Sequence, residues 1–133
     1  MNQEIKAAWL AALRSGAYKQ GRHTLRYEDK YCCLGVLCDL HAKAGLGTWE
    51  GDPHEYGDMF YCGNDGSQDS QILPTAVREW AGLEYSDPAV WGEQRLTQLN
   101  DGEEEESEED DCTVILSVPL VFSQIADLIE ECL

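Results

Sequence analysis

Apolar positions recur at helical spacing from the start of the chain. Ile5, Ala8, Trp9, Ala12 and Leu13 fall on one side of a roughly 3.6-residue repeat, which predicts a helix over residues 2–14 stopped by Gly16. The next stretch, AYKQGRHTLRYEDKY, has no apolar period. Gly21 predicts a turn there, and residues 24–27 a short strand. Apolarity returns between Cys32 and Ala44. Cys33, Leu34, Val36, Leu37, Cys38, Leu40, His41 and Ala44 cover most of the circumference of a second helix, capped by Gly45. A helix apolar over so wide an arc lies at the centre of its domain. Gly35 lies on the remaining arc, where another element can come close.

Residues 46–71 are rich in Gly and Asp, and MFYCGNDGS predicts a strand running into a turn. Pro74 opens a third helix, PTAVREWAGL, with Val77 and Trp80 inward and Leu73 and Leu83 beside them. Leu96 and Leu99 predict a short turn or strand, ended by Asn100-Asp101-Gly102. CTVILSV predicts a strand broken at Pro119, and residues 120–132 a last helix with Phe122, Ile125, Ala126, Ile129 and Leu133 on its buried side. The elements add up to a single α+β domain over residues 1–133. Three or four helices surround a small irregular sheet, with the second helix central.

A chain of 133 residues suffices for a core without staples. No apolar run approaches the roughly 18 residues of a membrane helix, and the N-terminal segment carries Glu4 and Lys6 instead of the pattern of a signal peptide. A cytoplasmic setting is expected, with the six cysteines as free thiols. Charge is distributed unevenly. Residues 1–44 hold seven basic residues against four acidic, a balance of +3; the remainder holds two against 22, or −20, for a net charge of −17. So acidic a surface repels nucleic acid and attracts basic surfaces. GEEEESEEDD, residues 102–111, is a like-charge run expected to form a flexible acidic loop within the domain.

Four segments, WLAALRSGAYKQGRHTLR, YCCLGVLCDL, LPTAVREWAGL and LTQLND with FSQIADLIEECL, resemble a family of small, mostly uncharacterised bacteriophage and prophage proteins. The resemblance covers roughly two-thirds of the chain and supplies a genomic setting, not a mechanism. In that family the LND segment leads quickly into the last helix, whereas here residues 102–118 intervene.

Three groups of residues bear chemistry. Cys38 and His41 have the three-residue spacing of a helical zinc pair, which Cys32 or Cys62 could extend, but no second close pair exists; a hydrogen-bonded core histidine beside small buried thiols is the preferred reading, with no metal or other cofactor. Cys32 and Cys33 sit where the second helix begins, where the helix dipole lowers a thiol pKa, and His23 could act as base; no orienting third residue can be named, so no enzyme is expected. The basic, tyrosine-rich segment sets Lys19, Arg22, His23, Arg26 and Lys30 among Tyr18, Tyr27 and Tyr31, a mixture suited to phosphate and to an aromatic base. Pairing of these cations with the domain's own carboxylates is the competing reading.

The function expected first is that of a non-enzymatic, phage-type accessory protein that antagonises a host process, most plausibly immunity. It would block a basic, nucleic-acid-binding host protein with the acids Glu103, Glu104, Glu105, Glu106, Glu108, Glu109, Asp110 and Asp111. The alternative is a binder that sequesters a nucleotide-type signal through Tyr18, Lys19, Arg22, His23, Arg26 and Tyr27. A thiol- or zinc-dependent enzyme comes third. Direct contact with nucleic acid or membrane is expected in none of these.

Overall fold

The computed structural model describes residues 1–51, 58–62, 67–69, 71–90, 94–101, 103–104, 115–117 and 120–133. Helix α1, Gln3–Arg14, begins where Asn2 Oδ1 accepts from the amides of Glu4 (3.0 Å) and Ile5 (3.2 Å). Two otherwise orphaned N–H groups are thereby satisfied. Three very short strands follow: β1 Lys19–Gln20, β2 Arg26–Tyr27 and β3 Lys30–Tyr31. Strand β3 lies between the others, parallel to β1 (Lys19↔Lys30) and antiparallel to β2 (Tyr27↔Lys30).

Helix α2, Cys33–Lys43, is the centre of the molecule. Cys33, Leu34, Val36, Leu37 and Cys38 are all fully buried. It starts on an uncommon cap, the Cys32 thiol, whose sulfur accepts from the Gly35 amide at 3.3 Å. It ends at Gly45, whose φ of +80° lets Leu46 N donate to His41 O (3.2 Å) and Gly45 N to Ala42 O (2.9 Å). This paired closure is the one a left-handed glycine makes possible. Gly35 fulfils the expectation of close approach. A Cβ there would stand 1.8 Å from the Leu25 carbonyl oxygen, so the helix rests directly on the backbone leading into β2.

A second sheet consists of β4 Gly47–Glu50, β5 Met59–Cys62 and β6 Ser67–Asp69, antiparallel in that order. Helix α3, Thr75–Ala81, has Pro74 as its cap residue instead of its first helical residue, and closes at Gly82. Leu96 and Leu99 belong to a helix, α4 Leu96–Asp101, and not to a strand. Its cause lies upstream: the Asp87 carboxylate accepts from Thr97 N (3.1 Å) and Thr97 Oγ1 (2.5 Å), taking the place of a local cap. Strands β7 Glu103–Glu104 and β8 Ile115–Ser117 pair antiparallel. Helix α5, Phe122–Cys132, packs along α1, where Arg14 bridges Asp127 (2.7 Å) and Glu130 (2.8 Å).

The result is a small mixed α+β domain with α2 at its core, as the periodicity predicts. Trp9 of α1, Leu25, Phe60, Val77, Leu96 and Ile125 close around α2. The indole of Trp9, buried against α2, donates through Nε1 to Cys33 O at 3.0 Å. None of the described helices is long and apolar enough to cross a membrane.

Candidate functional site

The basic segment around β1–β3 divides into two halves. One half is closed. The Tyr18 hydroxyl donates to Asp39 Oδ2 and accepts from Lys43 Nζ at 2.9 Å, and Asp39 Oδ1 accepts from Trp49 Nε1 at 3.1 Å. Burial, with the Asp39 carboxylate adding to it, pushes the Tyr18 phenol above its ordinary pKa. The Tyr18 and Tyr31 rings meet edge to face with centroids 5.0 Å apart, and Tyr31 meets Trp49 at 5.9 Å. Arg26 lies over the Trp49 ring, 4.6 Å from its centroid, and pairs with Asp58 through Nε. Tyr18 and Arg26 are therefore part of the scaffold.

The other half is open. Gln20, Gly21, Arg22, His23, Tyr27, Glu28 and Lys30 line a concavity of about 400 Å³. That volume lies at the lower end of the range for small-molecule sites. Arg22 and Lys30 are exposed and form no ion pair with a described carboxylate. Two of the lining residues, His23 (φ +71°) and Glu28 (φ +57°), have left-handed backbones without being glycine. Each such residue costs about 1 kcal/mol, and such strain concentrates where ligands bind. Of the six candidate ligand residues, the structure brings Arg22, His23 and Tyr27 to the concavity. Lys19 is exposed on β1 opposite Lys30 and is not part of the lining.

Beneath the concavity is a polar floor that sequence patterns do not disclose. Asn100, predicted to end a turn, is fully buried. Its Oδ1 accepts from Gln20 Nε2 (3.1 Å) and Cys33 N (3.2 Å), and its Nδ2 donates to Gly21 O (2.8 Å) and Asp101 Oδ1 (2.8 Å). Asp101 Oδ1 also accepts from His23 N at 2.9 Å, and its Oδ2 stands 3.8 Å from His23 Nδ1. Gln20 Nε2 donates in addition to Leu120 O at 2.7 Å. In the sequence Asn100 and Asp101 read only as the end of a turn and as part of the LND segment of the resemblance.

Cys32 and Cys33, at the start of α2, are buried. Burial pushes Cys32 up to about 12 and Cys33 well above the ordinary thiol range, overriding the amide of Gly35 that favours the Cys32 thiolate. This is opposite to the shift a nucleophile at a helix start requires. His41 is buried as expected, against Phe60 (5.8 Å) and Trp80 (5.0 Å), but its Nδ1 departs from the expected hydrogen-bonded histidine: it has no hydrogen-bond partner among the described residues. Burial lowers its pKa. No group of three or more His, Cys, Asp or Glu side chains among the described residues is placed to hold a metal ion.

In the acidic run, Glu103 and Glu104 form β7, opposite Ser117 and Ile115. Glu105, Glu106, Glu108, Glu109, Asp110 and Asp111 lie outside the described residues, as does most of the loop expected at 102–111.

Comparison with curated proteins and with solved structures found no match. A family model does match, over residues 1–133, and the chain belongs to that family, described as "Domain of unknown function (DUF8296)".

Proposed function

We propose that this protein is a non-enzymatic binder of a small phosphate-bearing molecule of nucleotide type, held in the concavity between β1 and the β2–β3 turn. One observation carries the reading. Two cations, Arg22 and Lys30, border the same concavity as Tyr27 and Glu28, and neither has an ion-pair partner among the described residues. Arg22 offers a planar fork for phosphate oxygens. Tyr27 offers an aromatic face to a base. The Glu28 carboxylate accepts from sugar hydroxyls or an exocyclic amine. Given the resemblance to phage and prophage proteins, such a binder would withdraw a nucleotide signal from a host defence system.

A thermal-shift series with nucleoside mono- and diphosphates tests this. A ligand at a hundred times its Kd adds about 2.7 kcal/mol to stability by mass action. Arg22→Ala and Lys30→Ala are each expected to weaken the bound nucleotide by about tenfold or more, the loss of one charged hydrogen bond. If both variants bind as the wild type does, the reading fails.

A second reading rests on charge alone: the acids between 103 and 111 cover the basic groove of a host nucleic-acid-binding protein. Its signature is capture of a basic host protein that weakens steeply with salt and is abolished by deleting residues 103–111.

A further inference from the structure

We infer that Asp101 is a positioning residue for this site, shaping the loop that carries Arg22 and His23 for an anionic ligand that Asp101 itself does not touch. The inference rests on the function proposed above. A carboxylate next to an anion site opposes binding by charge, so its place there needs a separate physical reason. The hydrogen bonds supply one. His23 holds a left-handed backbone that an unsupported histidine seldom adopts. Among the described residues its amide has one acceptor, Asp101 Oδ1, at 2.9 Å. The same oxygen is fixed in turn by Nδ2 of the fully buried Asn100, at 2.8 Å, and that Nδ2 also holds Gly21 O. A buried amide, a carboxylate and two backbone groups thus determine where residues 21–23 run. Arg22 lies between the two anchored residues, and its side chain borders the concavity. Helix α4 sets the geometry: Asn100 and Asp101 are its last two residues. The contact that matters is the acceptor, and the negative charge is incidental.

That distinction gives opposite signs. Asp101→Ala removes both acceptor and charge; Asp101→Asn keeps an acceptor of the same shape and removes only the charge. Binding of ADP and of inorganic pyrophosphate is measured by calorimetry for the wild type and both variants. Hydrogen exchange of the His23 amide is followed beside that of Val36 and Leu37 in α2. If Asp101 positions the loop, Asp101→Ala weakens either probe by about tenfold, the scale of one lost hydrogen bond, while Asp101→Asn stays at or above wild-type affinity. His23 exchange then accelerates in Asp101→Ala alone, and Val36 and Leu37 stay protected. If Asp101→Ala tightens binding, Asp101 acts as a bare charge and the inference is overturned. Unchanged His23 exchange in Asp101→Ala overturns it as well. If the wild type binds neither probe, the proposed function falls, and the exchange comparison still decides whether Asp101 holds the loop.

Discussion

Arg22 and Arg26 are four residues apart in one basic segment, and their fates differ completely. Arg26 lies on the Trp49 ring and pairs with Asp58, beside Tyr18, Tyr31 and Asp39. Arg22 stands at the rim of a concavity with no described carboxylate within ion-pair distance. Residue type does not separate them; what arrives from elsewhere in the chain does. The β4–β5 region delivers Trp49 and Asp58 to one half of the segment. The other half receives Asn100, Asp101 and Leu120 O, which bind its backbone and Gln20 and leave Arg22 and Lys30 without an ion-pair partner among the described residues. A cation whose partners are already built in stabilises the fold, and one without partners is available to a ligand.

The comparison can be broken outright at Gly35, on which both halves depend. Gly35→Ala drives a methyl group into the Leu25 carbonyl and is expected to cost about 3 kcal/mol or more, or to prevent folding; urea denaturation or the yield of soluble protein reads this. Next in size is Arg26→Ala. It leaves Asp58 without its partner and exposes the Trp49 face, an expected loss of about 1–3 kcal/mol, discounted because the pair keeps some solvent contact. A pH series probes the same side of the molecule, where Trp49 leads through Phe60 to His41. Burial lowers the His41 pKa, so the unfolded chain takes up a proton first. Stability should fall as pH drops below about 6.5, the ordinary histidine value, and level off once folded His41 is itself protonated. In His41→Phe the urea midpoint should decline less over that window. At neutral pH the variant should hold its stability, because an unpaired buried nitrogen is gone. The smallest stability effect belongs to the open half: Arg22→Ala should change unfolding by no more than about 0.5 kcal/mol. If Arg22→Ala were as destabilising as Arg26→Ala, the division into scaffold and site would collapse.

Much of the fold was legible in the sequence. Helices α1, α2, α3 and α5 have an apolar stripe or a recognisable start or stop, and Gly35 and Gly45 announced their roles through position alone. Helix α4 escaped because the groups that satisfy its first turn come from Asp87, outside the segment. Strands β2, β5 and β8 fall within segments predicted as strands, whereas β1, β3, β4, β6 and β7, of two to four residues, are too short for an alternating pattern to register. For the site, a mixture of cations and tyrosines marked the right segment but could not assign its members. Arg26 and Tyr18 were consumed by Asp58, Asp39 and Trp49, partners a local pattern does not reveal. Gln20, Gly21 and Glu28 entered the lining through the turn geometry. Asn100 looked like a turn residue, since burial of an asparagine is legible only once its four partners have been assembled around it.

Where residues 102–119 join the domain, Leu120 N donates to Leu99 O at 2.8 Å, and β7 pairs with β8 just beyond. The chain leaves and returns at nearly one point, as a drawstring closes the neck of a bag. The approach to α5 is thereby fastened to α4 by main-chain atoms alone, a tie that does not depend on which side chains occupy Leu99 and Leu120.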